Sequence, residues 1–341
     1  MEWLLYNTAI GAGGARCVFA LWRLRRSDRG RVLRERLSRS RAARVSLYVL
    51  AIYAAVGFVA LLRFPAADGV REVTPIDLVF SLVPRERSYS APFADTIVLA
   101  ADEDASAPEN QTAGVHPLGT DVSGYDVLYG VCKGCSTALL LVIGTMLVSF
   151  PLGLFLGVCA GYFGGFVDDV VQWLYTTIAS IPWLLFVMAF LLVFGRSLFW
   201  ICLAFGLTSW VELARLVRGE TLKLREAPYV RSAKAIGLPT WRILLRHLLP
   251  NLSHVVVITF TLPASAIILA ESVLTFIGIG VQAGGTSWGR MLVDSQVELV
   301  RNPPIWWVFA GASLVGILPL VLALNIAGDA LRDALDPRAD L

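Results

Sequence analysis

The sequence predicts an all-α integral membrane protein, because its apolar residues are gathered into six long stretches separated by charged segments. Of its 341 residues, 56% are apolar and 16% are charged, and the mean hydropathy is +0.67. Soluble domains are about 45–50% apolar and about 25% charged. A helix needs about 20 apolar residues to cross a hydrocarbon layer ~30 Å thick. The predicted spans are 45–62, 136–162, 170–194, 198–213, 251–277 and 305–326.

The segment 1–22 is also apolar, but it contains Glu2, Arg16 and three glycines. A signal peptide would carry its basic residues before the apolar run, whereas here the arginines follow it. Two interpretations stay open: an extra N-terminal membrane helix, or a helix lying at the membrane interface.

Charge between the spans predicts the orientation, since lysine and arginine collect in short cytoplasmic loops. Ten arginines lie between Arg23 and Arg44, and the segment 214–250 is also basic. The loop 64–135 holds eleven acidic residues against four basic ones. We therefore expect the cytoplasm to contain segments 1–44, 214–250 and 329–341, except for any part of 1–22 that enters the membrane. The acidic loop 64–135 is expected outside. Residues 45–63 form the first core span, and 136–328 form the rest of the helical core.

The cytoplasmic segment 214–250 is patterned as two short helices. Pro228 suits the first turn of a helix, Gly237 suits its end, and Pro239 blocks continuation. Thr240 is expected to cap the second helix, which ends before Pro250. Apolar faces are expected on both helices: Tyr229, Ala233 and Ile236 on the first, and Trp241, Leu244, Leu245 and Leu248 on the second. Such a surface suits docking to a protein partner or contact with lipid.

Five motifs in order resemble the permease subunits of binding-protein-dependent ABC importers, in particular the C-type subunit of the peptide branch. YVRSAKAIGLPTWRILLRHLLPN (229–251) resembles the EAA loop of that family. The others are HPLGTDVSGYDVLYG (116–130), GYFGGFVDDVV (161–171), FIGIGVQAGGTSWGRML (276–292) and GDALRDALDPR (328–338). Together they spread over 43–338, and residues 1–42 lie outside the resemblance.

The resemblance implies the type I ABC importer permease fold, with six core transmembrane helices in the cell inner membrane and a cytoplasmic C-terminus. It implies a non-enzymatic transport subunit, of a peptide importer, that forms half of the translocation pathway. The implied partners are two ATP-binding subunits, a second homologous permease, an extracytoplasmic solute-binding protein and membrane lipid, with no nucleic acid. No cofactor is expected on this chain, because ATP would bind the partner subunits. Residues implied to couple to the ATPase are Tyr229, Val230, Arg231, Ser232, Ala233, Ala235, Gly237 and Leu245.

The sequence departs from the family at one position of that loop. The Glu-Ala-Ala of the family stands here as Arg231-Ser232-Ala233. A guanidinium cannot replace a carboxylate in an ion pair, so the facing ATPase surface is expected to differ there. The part of the outer loop before residue 116 also looks long for the family, as either a docking surface or an insert.

A few other residues are candidates for chemistry or packing. Glu271 lies deep in an apolar stretch, where ionisable residues often serve function, so it either lines the pathway or makes an interhelical hydrogen bond. Gly153, Gly157 and Gly161 form a small-residue ridge that allows helices to approach closely. Cys132 and Cys135 have no second pair or histidines nearby, so no metal site is expected.

Another functional class is an ion-coupled secondary transporter working without an ATPase. That class would show ionisable residues near the membrane midplane and internal repeats. Glu271 is its one plausible coupling group in this sequence. An ATPase partner distinguishes the two classes, since the chain lacks the G-x-x-x-x-G-K-[ST] pattern of a phosphate-binding loop.

Overall fold

The computed structural model describes residues 6–8, 10–14, 40–65, 72–98, 107, 110–280 and 286–335. Several features singled out above lie outside the described residues. They are Glu2, Arg16, the arginines between 23 and 39, the acidic residues 102–104 and the end of the chain from residue 336.

The described part is helical apart from two short strands and irregular loops. The elements are α1 (Arg41–Leu61), β1 (Phe64–Pro65), β2 (Glu72–Val73), α2 (Pro75–Phe80), α3 (Val127–Phe163), α4 (Gly165–Ser180), α5 (Trp183–Phe194), α6 (Leu198–Arg225), α7 (Pro228–Ala235), α8 (Thr240–Ile243), α9 (Ser253–Phe276), α10 (Trp288–Gln296), α11 (Trp307–Ala310) and α12 (Leu318–Leu335). A π-helical turn, Leu244–Leu248, continues α8, and another, Gly311–Ile317, joins α11 to α12. Strands β1 and β2 pair antiparallel, with Phe64 opposite Val73.

Five of the six predicted spans are confirmed within the described residues, and the predicted span 170–194 coincides with a bent pair of helices. Five continuous helical stretches are long and apolar enough to cross a membrane, and α4 with α5 makes a sixth if this pair, bent by 86°, is one span. The bend lies at Pro182, where a proline cannot donate the backbone hydrogen bond that continues a helix. Helix α6 runs to Arg225, twelve residues beyond the predicted end of its span at residue 213, so its last turns carry the beginning of the basic segment 214–250.

The chain divides into two units, and the first comprises Met1–Leu140 and Ile268–Ala330. Its core contains Tyr89, Val127, Val131, Ile305 and Trp307. The Trp307 indole N–H donates to the Thr120 carbonyl oxygen at 3.0 Å, so the loop before α3 is fixed to the start of α11. Trp288 is similarly buried, and its indole N–H donates to the Val131 carbonyl oxygen at 3.0 Å.

The second unit comprises Leu141–Ile267 and Leu331–Leu341. Within it the predicted glycine ridge of α3 lies directly against α6. A Cβ atom on Gly157 would lie 2.7 Å from the Ala214 carbonyl oxygen, and one on Gly161 would lie 2.7 Å from the Thr221 Cβ. Real Cβ atoms do not approach that closely, so glycine is what allows the two helices to touch. Trp210, 1% exposed, fills the adjacent core.

The loop between α2 and α3 is organised by a buried ionic cluster. The two ring nitrogens of His116 face opposite carboxylates, with Nε2 3.0 Å from Glu86 Oε1 and Nδ1 3.1 Å from Asp126 Oδ2. The three side chains are at most 5% exposed. The ring thus connects the two carboxyl groups, one through each nitrogen. Asp126 also accepts from the Leu128 N–H at 2.7 Å, which ties the cluster to the first turn of α3.

At the entrance to α2, Thr74 and Asp77 form a reciprocal capping box. Burial by itself raises the pKa of Asp77. Hydrogen bonds from Lys133, Thr74 and Tyr129 outweigh that effect and hold the pKa below its ordinary value. The Lys133 ammonium lies 2.8 Å from Asp77 Oδ1. This pair anchors α2 to the beginning of α3.

We expect Gly157→Leu to destabilise the second unit by about 1–3 kcal/mol, because the added side chain overpacks the contact between α3 and α6. Gly219→Leu is the matched control, since a Cβ at Gly219 meets nothing within 4 Å and leucine favours helix over glycine by about 0.8–1 kcal/mol. Thermal unfolding of the purified chain in mild detergent measures both. Equal melting temperatures for the two variants would show that the ridge does not limit stability.

We expect His116→Ala to destabilise the first unit by about 3–5 kcal/mol, because two buried carboxyl groups lose the ring that contacts both of them and are left without a partner there. The triple variant His116→Ala, Glu86→Gln and Asp126→Asn should recover part of that loss, since it removes both uncompensated charges. Hydrogen exchange at residues 110–126 and thermal unfolding measure the change. An alanine variant as stable as the parent chain would contradict a structural role for the cluster.

Candidate coupling surface

Helix α7 is a two-turn helix held down by one narrow apolar edge. Pro228 occupies its first turn, where the missing N–H costs nothing. Val230 is fully buried and Ala233 is 4% exposed. They pack with Tyr162, Ile243 and Leu248. Because α7 is short, these i and i+3 contacts set its rotation about its own axis.

The end of α7 is a left-handed turn at Gly237, whose φ is 77°. The Leu238 N–H bonds to the Ala233 carbonyl oxygen at 3.1 Å, and the Gly237 N–H to the Lys234 carbonyl oxygen at 3.0 Å. This pair of bonds is the Schellman motif. A positive φ is unfavourable for residues with a Cβ, so glycine permits the reversal into α8 here, as predicted.

The second helix begins differently from the prediction. Pro239, not Thr240, is the N-cap of α8, and no side chain caps the helix. Thr240 already has helical geometry, because Pro239 takes the extended conformation that ends the turn. The following π-helical turn buries Leu248 completely, which seats the second helix against α7.

Four large apolar side chains within residues 228–248 are exposed. Tyr229 is 41% exposed, Ile236 76%, Trp241 59% and Leu245 59%. The predicted grouping of Tyr229 and Ile236 with Ala233 on one face was therefore wrong, as was that of Trp241 and Leu245 with Leu248. We call these four residues the coupling surface.

The exposed residues rest on a well-supported base at the end of α6. The Arg225 guanidinium donates to the carbonyl oxygens of Gly161 and Tyr162 at 3.3 and 3.4 Å. Two turns earlier in α6, Arg218 makes a bidentate ion pair with Asp168 of α4, with Nη2 2.6 Å from Oδ2. Bidentate charged pairs fix orientation as well as distance. The helix ends beneath the coupling surface are thus held together by charge and by carbonyl capping.

Arg231, which stands in place of the family glutamate, already has a partner. Its guanidinium lies 2.7 Å from Glu226 Oε2, in an exposed pair. Hydrogen bonds from Arg231 and then Arg225 hold the pKa of Glu226 below its ordinary value. The carboxylate that this surface offers is therefore Glu226, five residues earlier in the chain and neutralised by two arginines.

Of the eight residues predicted to couple to an ATPase, two are buried and six are exposed. Val230 and Ala233 face the chain and support α7. The exposed six are Tyr229, Arg231, Ser232, Ala235, Gly237 and Leu245. Ile236 and Trp241 were absent from that set, although both are large, apolar and flank the hinge. Ile243 was missed as a supporting residue, and its spacing from Leu248 gives no clear helical signal because the intervening turn is π-helical.

Glu271, the predicted pathway residue, lies in the first unit and is 6% exposed. Its Oε1 accepts a hydrogen bond from the Thr275 hydroxyl at 2.8 Å, and Ser287 is a second hydrogen-bond partner. Ser287 also caps α10 by accepting from the Arg290 N–H. Within its unit this carboxylate thus joins α9 to the start of α10.

Among the described residues no group of three or more histidine, cysteine, aspartate or glutamate side chains could hold a metal ion. In the His116 cluster the carboxylates lie on opposite sides of the ring, so they do not converge on one point. Cys132 and Cys135 are free thiols. The surface built by α7 and α8 offers exposed apolar side chains and charged groups, which are the means by which proteins bind a protein partner.

Comparison with known proteins identifies the family. Residues 149–341 match the sequence family described as "Binding-protein-dependent transport system inner membrane component". The oligopeptide transport system permease protein OppC of Haemophilus influenzae is 36% identical over 225 residues, which cover 66% of this chain and 71% of that protein. The dipeptide transport system permease protein DppC of Bacillus subtilis is 35% identical, covering 65% of this chain and 69% of that protein. OppC of Bacillus subtilis is 30% identical, covering 82% and 88%.

A solved structure, the MetNI methionine ABC transporter in inward-facing conformations, aligns at a TM-score of 0.45 and 16% identity over 62% of this chain and 96% of that chain. That likeness is too slight to carry an argument. The sequence relatives and the five or six apolar spans of the described residues support one conclusion without it. This multi-pass membrane protein belongs to the family of inner-membrane permease components of binding-protein-dependent transport systems.

Proposed function

We propose that this chain forms half of the translocation pathway of an ATP-driven peptide importer and transmits motion from two ATPase subunits through α7 and α8. A second permease of the same family completes the pathway, and an extracytoplasmic solute-binding protein delivers the peptide. ATP binds and is hydrolysed on the partner ATPases, not on this chain.

One observation carries the proposal: the coupling surface is both exposed and rigidly supported. Tyr229, Ile236, Trp241 and Leu245 present apolar area around a fixed turn, and aromatic anchors with a charged surround are typical of protein interfaces. Beneath them, Val230 and Arg225 tie α7 and α6 to the end of α3. A force applied at this surface would reach the spanning helices without being absorbed by a mobile loop.

The orientation supports the same partner. The basic residues of 214–250, together with those that precede α1, favour the cytoplasm for the coupling surface. ATP is present in the cytoplasm, so an ATPase must bind the permease on that side. The acidic loop 64–126, with its buried His116 cluster, then faces outward, where a delivered solute would arrive.

The peptide substrate is proposed from the relatives. Those compared above are named for oligopeptides and dipeptides, and a further relative, 33% identical, is named for glutathione. Sequence similarity of this degree supports the class of transporter more strongly than the identity of its substrate, because the solute-binding protein can select among solutes. Uptake is therefore measured separately from assembly.

We expect the tagged chain, purified in mild detergent from its native host, to bring with it a P-loop ATPase and a second permease. Ile236→Asp combined with Leu245→Asp should lower recovery of the ATPase by at least about tenfold, since two interface anchors each contribute about 1–2 kcal/mol or more. Mass spectrometry of the purified complex measures both partners, and recovery of the second permease should be unchanged.

The matched control is Leu82→Asp, which places the same charge on a side chain that is 84% exposed outside the coupling surface. It should leave ATPase recovery intact. Purification of the parent chain with no ATPase would sink the proposal and favour an ion-coupled carrier instead.

We expect cells that lack this chain to lose accumulation of a labelled short peptide, and the parent gene to restore it. Uptake should fall when ATP is depleted and persist when a protonophore collapses the proton gradient while ATP is maintained. Restored assembly without peptide uptake would overturn the substrate class alone. Uptake that follows the proton gradient would overturn ATP coupling.

A further inference from the structure

The helical residues near the amino-terminal end of the chain contact the end of α1 that the proposed orientation places outside. The Asn7 side-chain amide donates to the Arg63 carbonyl oxygen, and its Oδ1 accepts from the Arg63 N–H at 3.0 Å. The Arg63 guanidinium lies 4.6 Å from the centre of the Tyr6 ring. Tyr6 and Asn7 thus contact Arg63, two residues after the end of α1, through paired hydrogen bonds and a cation–π contact.

A second contact lies further along both segments. A Cβ atom on Gly14 would lie 2.9 Å from Phe58 Cε2, so the glycine permits close approach there. From Asn7 to Gly14 the rise at helical geometry is about 10.5 Å. From Phe58 to Arg63 it is about 11 Å, since three steps are helical and two are extended. Equal spacing in opposite chain directions means that residues 6–14 run antiparallel alongside α1.

These contacts fix where the chain enters α1. Asn7 lies at the carboxyl end of α1, whereas Ser40 caps its amino end. The 21 residues of α1 rise about 31 Å, which equals the thickness of the hydrocarbon layer, ~30 Å. Between residues 7 and 40 the chain must therefore pass from one end of this span to the other.

We propose that the amino-terminal segment forms one additional membrane span, beyond the six core spans. This span packs against the outer half of α1, with residues before Asn7 outside the cell. The inference rests on the proposed orientation of α1.

The extra span depends on α1 as its partner. Arg16 lies in the apolar stretch 1–22, and an arginine near the centre of a membrane helix costs about 2.5–3.5 kcal/mol on insertion scales. The contacts of Asn7, Tyr6 and Gly14 with α1 offset part of that cost. Residues 1–42 lie outside the resemblance to the permease family, which spreads over 43–338. The additional span is therefore a feature beyond the common core.

The topology is tested by cysteine accessibility in a variant whose five native cysteines are replaced by alanine or serine. Glu2→Cys should react with a membrane-impermeant maleimide on intact cells, as should the outer control Leu82→Cys. The inner control Ile236→Cys should react only after permeabilisation. Labelling of Glu2→Cys only after permeabilisation would overturn the proposal, and reversed labelling of the two controls would overturn the orientation on which it rests.

The packing is tested by oxidative cross-linking in the same background and does not depend on orientation. Gly14→Cys paired with Phe58→Cys should form an intramolecular disulfide at least about fivefold faster than Gly13→Cys paired with Phe58→Cys. Gly13 is the matched control because a Cβ there meets nothing within 4 Å. Equal rates for the two pairs, or no cross-link in either, would overturn the packing against α1.

Discussion

Helices α3 and α6 touch along Gly153, Gly157 and Gly161, and the inner half of the second unit is organised by that contact. Because lipid supplies no hydrophobic driving force between helices, close packing and interhelical polar contacts hold them together. The close approach brings the last turn of α3 within reach of Arg225, which caps its final carbonyl oxygens. Tyr162, at the same end, forms part of the seat for α7. The position of the coupling surface thus follows from three residues that lack side chains.

The first unit is stabilised by a different means, because its loops must be ordered outside any regular sheet. Two buried tryptophans donate to carbonyl oxygens of neighbouring segments, and the His116 cluster places three ionisable side chains in the interior of the loop 72–126. Buried charges of this kind are costly unless each is paired, so the cluster specifies one arrangement. The described parts of the long loop between α1 and α3, 72–98 and 110–126, are therefore folded against the start of α3.

On the coupling surface, support and contact are divided between different residues of the same short helix. Val230 and Ala233 face inward and fix the rotation of α7, while Tyr229 and Ile236 face outward. A mutation of the inward pair would act by moving the surface, and a mutation of the outward pair by removing contact area. Arg231 changes the charge of this surface only in part, because Glu226 pairs with it. A partner ATPase would meet an apolar patch beside an ion-pair network of one carboxylate and two arginines, which keeps a net positive charge.

The sequence by itself determined the spans, their proposed orientation and the motifs that place the chain in its family, since long apolar runs and clustered arginines are local properties of the chain. It also indicated the turn at Gly237, because glycine adopts a positive φ without a steric penalty and Pro239 prevents the helix from continuing. Only the tertiary structure decided which apolar residues of α7 and α8 are covered. Any face of a helix of eight residues could pack against a neighbouring element. Tyr162 and Leu248 pack against the face of α7 that carries Val230 and Ala233. The tertiary structure likewise decided the pairing of His116 with Glu86, thirty residues away, and the contact of Asn7 with Arg63, because both join segments that are distant in the chain and leave no periodic pattern in the sequence.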